Sequence, residues 1–220
     1  MAIAALFDLN GTVVDDMRVH GALWRDAALA LGADVPAMMF IRDWAGATSE
    51  EVVRRISPRP LDASEVRAVV DAKEARYLET YRDHVTEVPG AVALVRRLRG
   101  AGVPVALATA APGPNRALAL DGLGLSDAFD WIQGPEGIAR GKPAPDIFLA
   151  AAAGLGVAPG DCIVFEDALN GVRAALAAGM RAVGVTTICT REELASVGSH
   201  WVLDDFHTLP ADLEAAFSGG

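Results

Sequence analysis

Short apolar runs that end abruptly in polar residues or glycine recur along the chain. The clearest are residues 3–7, 103–108 and 162–165, and weaker examples lie at 182–185 and 201–203. Runs of this length and composition are typical of strands that are buried on both faces of a parallel sheet. We therefore predict a β-strand at each of these positions.

Helical patterns lie between the later runs. They cover residues 91–99, 115–123, 145–155 and 169–178. Each pattern ends at or just before a glycine, as helices often do: Gly100, Gly124, Gly156 and Gly179. Strands that alternate with helices predict an α/β fold, with a doubly wound, Rossmann-like core built on a parallel sheet.

A segment after the first strand breaks this alternation. It contains no convincing strand pattern, but helical periodicity is found in residues 18–31, 50–56 and 64–81. The sequence Val88-Pro89-Gly90 is typical of a turn that leads back into the α/β region. The predicted division is a core of residues 1–15 and 88–220 and an all-helical insert of residues 16–87.

Composition narrows the class of protein. The chain has 220 residues, of which 52% are hydrophobic and 22% charged, as expected of a globular core with a modest insert. Its formal net charge is −10, and no basic stripe is present, so we expect no nucleic-acid partner. An acidic protein that binds a small anion needs a local positive site or a metal ion to offset its own field.

The cysteines and the apolar segments indicate where in the cell the protein is found. The two cysteines, Cys162 and Cys189, form neither a disulfide framework nor a zinc motif, so we expect buried free thiols. No apolar run is long enough to span a bilayer, and the first residues lack the basic region of a signal peptide. We expect a cytoplasmic monomer without a membrane partner.

Candidate chemistry follows the predicted strands. In open parallel sheets, ligands bind beyond the carboxyl ends of the strands, at the point where the strand order reverses. Polar residues at those ends are Asp8, Asn10, Thr109, Glu166 and Asp167. A further segment, Gly-Lys-Pro-Ala-Pro-Asp at residues 141–146, places Lys142 just before a predicted helix, where an ammonium group and a helix N-terminus could both face an anion.

These residue types suit phosphoryl transfer. Carboxylates that converge from two strands are the hard oxygen ligands that Mg²⁺ prefers. A hydroxyl, backbone N–H groups and a lysine suit a phosphoryl group, and a carboxylate that the metal leaves partly free can attack phosphorus to form an aspartyl phosphate. The sequence therefore indicates Mg²⁺ as the cofactor and a small phosphorylated metabolite as the ligand.

The motifs resemble those of the haloacid dehalogenase superfamily. Phe-Asp-Leu-Asn-Gly-Thr at residues 7–12 resembles its first motif, and Thr109, Lys142 and the pair Glu166-Asp167 match its second, third and fourth motifs in order. Within the superfamily, the chain is most similar to the β-phosphoglucomutase-like phosphatase branch. The resemblance implies that the helical insert is a cap over the active site.

The resemblance also implies a role for each matching residue. Asp8 would be the nucleophile and a magnesium ligand, and Asn10 would bind the metal through its backbone carbonyl. Glu166 and Asp167 would complete the metal site. The transferring phosphoryl group would be held by Thr109, the backbone at Ala110, and Lys142.

The cap matches this branch in part. His20 and Trp24 lie four residues apart, on one face of a predicted helix, at positions where the branch has substrate-facing residues. For both, packing within the cap is the competing interpretation. Gly46 matches a substrate-loop glycine. Lys73 lies near a cap lysine, but a solvated helix charge is the favoured interpretation. Ser49 departs from the branch, whose mutases have there an arginine for the second phosphate of the substrate.

The largest departure is Asn10. Superfamily phosphatases and mutases usually have there an aspartate that protonates the leaving alcohol, and losing such a group costs about 10²–10⁴-fold in rate. Three explanations remain open: the substrates have good leaving groups, the position was changed from aspartate to trap a complex, or the protein binds its ligand with little catalysis.

The function expected from all of this is Mg²⁺-dependent hydrolysis of a small phosphorylated metabolite such as a sugar phosphate. The alternatives are a β-phosphoglucomutase-like isomerase and a catalytically weak binding relative. A dehalogenase needs no acid at position 10, but such enzymes use no magnesium, whereas Glu166-Asp167 favours a metal.

Overall fold

A six-stranded parallel sheet forms the centre of the protein, which a computed structural model describes from residue 3 to residue 218. The strands are β1 (Ala4–Phe7), β2 (Val105–Ala108), β3 (Trp131–Gln133), β4 (Cys162–Glu166), β5 (Arg181–Val185) and β6 (Trp201–Leu203). Their order across the sheet is β3-β2-β1-β4-β5-β6, and every neighbouring pair is parallel. The predicted doubly wound α/β fold is confirmed.

Helices cover both faces of the sheet and form the segment after β1. That segment contains α1 (Met17–Ala30), α2 (Ala37–Arg42), α3 (Ser49–Ile56) and α4 (Ala63–Tyr81). The remaining helices are α5 (Ala91–Gly100), α6 (Gly113–Gly122), α7 (Asp146–Leu155), α8 (Leu169–Ala177), α9 (Arg191–Ser196) and α10 (Ala211–Ser218), with a short 3₁₀ turn at Pro159–Asp161.

The side-chain alternation of the strands builds two apolar layers. Ala5 and Phe7 of β1 face a layer that includes residues of α5, α6 and α10. Ala4 and Leu6 face a layer that includes residues of α7, α8 and α9. Because both layers exclude water, β1 can be apolar throughout, which is the pattern that identified it in the sequence.

The two central strands, β1 and β4, determine where the site lies. Phe7 pairs with Phe165 in the register of the strands, and their rings stack with centroids 4.5 Å apart. The strand order reverses between β1 and β4, since β2 lies on one side of β1 and β4 on the other. The residues that directly follow Phe7 and Phe165 therefore meet at the switch point, where α/β sheets bind ligands.

The helical segment has an apolar cluster of its own. Trp24, Phe40, Val53, Ile56 and Val66 are buried together within α1–α4 and their connections. The chain enters and leaves this segment through two connections that are hydrogen-bonded to each other. The Asp15 amide donates to the Thr86 carbonyl at 2.9 Å, and the Val88 amide donates to the Val13 carbonyl at 3.0 Å. The domain boundaries predicted at residues 15 and 88 remain a proposal, which these paired connections support.

Some elements were not predicted from the sequence. β3 has three residues, of which Trp131 and Ile132 are exposed, so it lacks the apolar pattern of a buried strand. α2 and α9 are six residues each, too short for a clear helical period. Cys162 and Cys189 are free and buried, as expected. Within residues 3–218, no helix combines the length and apolar character that crossing a membrane requires.

Candidate active site at the carboxyl ends of the strands

Three buried carboxylates meet where β1 and β4 end. Asp8 follows β1, Glu166 is the last residue of β4, and Asp167 follows it. Their relative exposures are 7%, 1% and 2%, and one oxygen from each lies within 4.8 Å of the others. The structure thus brings together the three acidic residues that the sequence proposed as metal ligands.

Lys142 lies among these carboxylates. It precedes α7, is buried, and donates from Nζ to Asp8 Oδ1 at 2.7 Å and to Glu166 Oε1. The other oxygen of Glu166 accepts from the backbone amide of Ala168 at 3.1 Å. Both oxygens of Glu166 are therefore engaged by protein groups. Asp8 accepts from Lys142 through one oxygen, and the two oxygens of Asp167 accept longer bonds from the hydroxyls of Thr12 at 3.4 Å and Thr187 at 3.5 Å.

The charges of the cluster do not balance. Burial, together with the nearby charge of Glu166, raises the pKa of Asp8 from 3.8 to about 7, although Lys142 opposes the shift. Burial and the two neighbouring carboxylates raise the pKa of Asp167 well above its usual value. Burial opposes the charge of Lys142, but Asp8 and Glu166 raise its pKa. One lysine cannot neutralise three buried carboxylates, so a hard divalent cation fits this donor set.

Two glycines allow the carboxylates to approach so closely. Gly11 has a φ of +78°, and a Cβ there would overlap the Asp167 carboxylate. A Cβ on Gly171 in α8 would overlap the carboxylate of Glu166. The hydroxyl of Thr187 donates to the Gly11 carbonyl at 2.6 Å and holds this turn in place. Thr187 was not predicted, because it follows β5 at a distance in the sequence from any motif.

The residues that follow β2 form one wall of the cleft that contains the acidic cluster. Thr109 is buried, its amide donates to the Gln133 carbonyl, and its hydroxyl accepts from the Ala111 amide at 3.1 Å. Thr109, Ala110 and Lys142 line the same cleft as the acidic cluster. These three residues, proposed as the phosphoryl-binding set, are thus brought together.

The helical segment supplies the opposite wall of the cleft. His20, Trp24, Gly46 and Lys73 all line it. Gly46, with a φ of +85°, rests on Lys142, since a Cβ there would lie 3.0 Å from the Lys142 Cβ. Lys73 is buried, with an exposure of 5%, so the interpretation of it as a solvated helix charge is wrong.

A network behind this wall centres on Asp16, the first residue of the predicted insert. Asp16 precedes α1, but its carboxylate makes no capping bond. Its Oδ2 accepts from Asn10 Nδ2 and from the Tyr77 hydroxyl, both at 2.6 Å, and lies 3.3 Å from His20 Nε2. Nδ1 of His20 lies 2.8 Å from Lys73 Nζ. Burial and the neighbouring Asp16 raise the pKa of Tyr77, which remains a donor.

Comparison with known proteins shows the family of the chain. The family model of the haloacid dehalogenase-like hydrolases matches residues 4–179. Hexitol phosphatase A of Escherichia coli is 32% identical over 184 residues, which cover 82% of this chain and 81% of that protein. The crystal structure of β-phosphoglucomutase from Clostridium difficile superposes with a TM-score of 0.87 at 28% identity, covering 100% of this chain and 98% of the other.

A plant relative is much longer. Protein SUPPRESSOR OF QUENCHING 1, chloroplastic, of Arabidopsis thaliana is 32% identical over 217 residues, which cover 92% of this chain but 19% of that protein. The chain therefore spans about a fifth of one curated relative and about four fifths of the other.

Proposed function

The chain belongs to the haloacid dehalogenase-like hydrolases, in the β-phosphoglucomutase-like branch, and on that premise we propose that it is a Mg²⁺-dependent phosphatase. It would transfer the phosphoryl group of a small phosphorylated metabolite, such as a sugar phosphate, to water by way of an aspartyl phosphate on Asp8. One observation carries the proposal: Asp8 directly follows a central strand, and its carboxylate is held 2.7 Å from Lys142 Nζ in a buried acidic cluster.

The acidic cluster would hold the metal ion. Asp8 and Asp167, with the backbone carbonyl of Asn10, are the proposed ligands, and Glu166 belongs to the same set through its position within 4.8 Å of both carboxylates. When bound, Mg²⁺ would neutralise the acidic cluster and the charge of the incoming phosphate. Without such a cation, the cluster would repel the substrate.

Asp8 would act as the nucleophile. One carboxylate oxygen forms a bond to phosphorus while the bond from phosphorus to the ester oxygen breaks, and the ester oxygen leaves as an alkoxide that takes its proton from solvent water. Water then attacks phosphorus and gives up a proton to solvent, the acyl phosphate bond breaks, and the carboxylate of Asp8 is restored. Lys142, Thr109 and the backbone at Ala110 surround the transferring group and offset its charge.

Asn10 limits which leaving groups suit this site. Its amide cannot supply a proton to an alkoxide, and it is bound to Asp16. Substrates whose leaving groups need no proton, such as acyl phosphates, are therefore favoured in rate over alkyl phosphates. The same observation favours a second candidate function, tight binding of a phosphometabolite with slow turnover.

The helical segment would close the site. Three contacts hold it against the core: Arg42 pairs with Glu193, Asn170 Nδ2 donates to the Ala45 carbonyl at 3.2 Å, and Asn115 Nδ2 donates to Glu74 at 2.6 Å. Closure would exclude bulk water during transfer and let cap residues contact the substrate.

A substrate screen tests the proposal. Phosphate release from a panel of sugar phosphates and from acetyl phosphate is measured with MgCl₂ and with EDTA, in the wild type, in Asp8→Ala and in the exposed-site control Asp83→Ala. We expect turnover that requires Mg²⁺ and Asp8 and is retained by the control. Equal turnover in EDTA, or in Asp8→Ala, would contradict it. Tight binding of a sugar phosphate without release of phosphate would select the second candidate.

A further inference from the structure

The cleft contains few positive charges. Among the described residues that line it, the lysines are Lys142 and Lys73, and arginine is absent. Lys142 is engaged by Asp8 and Glu166 at the reacting end. Lys73 lies at the other end, with its Nζ 3.0 and 3.1 Å from the two carboxylate oxygens of Glu74. Each lysine is thus already paired with acidic groups of the protein.

Glu74 is fixed in the cleft from several sides. Its side chain is 13% exposed and lines the cleft next to Lys73. Besides Lys73, it accepts from Asn115 Nδ2 at 2.6 Å and from the hydroxyl of Ser49 at 3.2 Å. A carboxylate held by three donors keeps its place when a ligand enters.

Among the described residues that line the cleft beside Glu74, Lys73 is the one lysine or arginine. The core wall of the cleft includes Ala110, Ala111 and Pro112, which are uncharged. On the cap side, the Trp24 ring lies 4.9 Å from Lys73 Nζ, and the buried Asp16 carboxylate stands behind His20. This end of the cleft therefore holds Lys73 near one buried carboxylate, that of Asp16, and one partly buried carboxylate, that of Glu74. Burial lowers the pKa of Lys73, although Glu74 opposes that shift.

Within residues 3–218, no lysine or arginine other than Lys73 lines this end of the cleft to receive a second phosphate group. Such a group would face the Glu74 carboxylate and would have to compete with it for Lys73. Juxtaposed like charges in a partly dehydrated cleft discriminate strongly against the wrong ligand. An uncharged hydroxyl-bearing group meets no such penalty, because it can donate to Glu74 and accept from Ser49 or Lys73.

We infer that the substrate is a phosphate monoester whose distal part is an uncharged, hydroxyl-bearing sugar or polyol, and that Glu74 is the residue that rejects a second anionic group. The inference rests on the proposed phosphatase function and specifies the substrate class of the same site. Glu74 acts on the distal part of the ligand and takes no part in the bonds that form or break.

A pair of ligands that differ in one phosphate tests the inference. kcat/KM for fructose 1-phosphate and for fructose 1,6-bisphosphate is measured with MgCl₂ in the wild type, in Glu74→Gln and in Glu79→Gln. Glu79→Gln removes the same charge from an exposed position of the same helix. We expect the wild type to prefer the monophosphate about tenfold or more, and Glu74→Gln to reduce that preference about tenfold because it frees Lys73. The control should keep the wild-type ratio.

Two further measurements keep the outcomes distinct. Ser49→Arg adds a cation beside Glu74 and should also reduce the preference, so it replaces Glu74→Gln if that variant does not fold. Turnover of p-nitrophenyl phosphate, which has no charged distal group, tests the phosphatase function by itself. If p-nitrophenyl phosphate is hydrolysed but the two fructose phosphates are used equally, or the ratio is unchanged in Glu74→Gln, the inference is wrong and the function stands.

If no phosphate is hydrolysed, the proposed function fails, and discrimination is then read from calorimetric binding of the same two fructose phosphates. Tighter binding of the monophosphate, weakened selectively in Glu74→Gln, would support the inference. Equal affinities would overturn it.

Discussion

The side-chain amide of Asn10 donates to the buried carboxylate of Asp16, with Nδ2 2.6 Å from Oδ2. Asn10 follows the strand that ends at the proposed nucleophile, whereas Asp16 immediately precedes the first cap helix. The bond therefore links the reacting end of the core to the base of the cap. It also means that an aspartate at position 10 would face a second carboxylate.

Replacing Asn10 by aspartate should raise the rate for substrates with poor leaving groups. Two carboxylates at this distance share a proton, so the pair would offer an acid near neutral pH. We expect Asn10→Asp to increase kcat for alkyl phosphates about 10²-fold and to change acyl and aryl phosphates little. Phosphate release in the presence of MgCl₂ measures kcat for both classes of substrate. Because Asn10 precedes Gly11 and such pairs deamidate readily, peptide mass spectrometry must show that Asn10 is intact in the reference sample.

The matched variant for this change is the exchange Asn10→Asp with Asp16→Asn. It moves the carboxylate to position 10 but keeps the net charge and an amide–carboxylate pair. We expect it to be more stable than Asn10→Asp alone, and to gain less on alkyl phosphates because Asp at position 10 no longer shares a proton with a second carboxylate. If neither variant gains on alkyl phosphates, position 10 has no acid–base role here.

Removing the charge of Asp8 should stabilise the metal-free protein while abolishing turnover. Burial raises the pKa of Asp8 from 3.8 to about 7, so the folded state keeps a proton that the unfolded chain has released. The free energy of unfolding therefore falls as pH rises from 3.8 to about 7, and the full destabilisation from the buried charge is present above the folded-state pKa. We expect Asp8→Asn to raise the free energy of unfolding by about 2–4 kcal/mol at pH 8 in EDTA.

Urea unfolding across a pH series measures this effect. The advantage of Asp8→Asn should vanish below the unfolded-state pKa of 3.8, where Asp8 is protonated in both states. MgCl₂ should stabilise the wild type more than the variant, because the variant lacks a proposed ligand. A variant that is less stable than the wild type at pH 8 without metal would show that the Asp8–Lys142 pair outweighs the cost of burial.

Gly46 should be needed for closure over the active site rather than for folding. Gly46→Ala strains a φ of +85° and pushes against Lys142, whereas Gly32→Ala strains a φ of +83° with nothing within 4 Å. Both substitutions should cost about 1–2 kcal/mol of stability. Only Gly46→Ala should lower kcat/KM, by about tenfold or more, because it displaces the lysine. Equal kinetic effects of the two variants would rule out this role for Gly46.

Gly171 should be required for the position of Glu166. Alanine is favoured over glycine by about 1 kcal/mol inside a helix. At position 171 in α8, however, the added Cβ would overlap the Glu166 carboxylate, which accepts from Lys142. We expect Gly171→Ala to lower kcat without a gain in melting temperature. Gly100→Ala, at the end of α5 with no atom within 4 Å of the added Cβ, should leave kcat unchanged.

The buried strands β1 and β4 could be predicted from the sequence because each is a short, uninterrupted apolar run that ends at acidic residues. β1 and β4 are buried along their whole length, and Asp8, Glu166 and Asp167 stand at or just after their ends. A parallel sheet brings such ends together, so the acidic cluster follows from the order of the motifs. β3 has no comparable apolar pattern of buried residues, since Trp131 and Ile132 are exposed and Gln133 is half-buried.

The cap side of the site could not be read from the sequence in the same way. Whether Lys73 is solvated or buried depends on which helices pack beside α4, and in the fold it lies against Trp24, Tyr77 and Glu74. Asp16 has the sequence position of a helix N-cap, yet its carboxylate turns to Asn10 and Tyr77. Such partners are chosen by tertiary contacts, which a local pattern does not encode.

Identification of the phosphorylated residue tests the central claim most directly. The wild type is mixed with acetyl phosphate and MgCl₂, quenched in acid and reduced with borohydride, which converts an aspartyl phosphate into homoserine that peptide mass spectrometry locates. Because Asn10 cannot activate the attacking water, the intermediate should accumulate. The account predicts homoserine at position 8, none at Asp15 or Asp16, and none when EDTA replaces MgCl₂. Modification at another residue, or turnover of acetyl phosphate in a protein that never carries phosphate on Asp8, would contradict it.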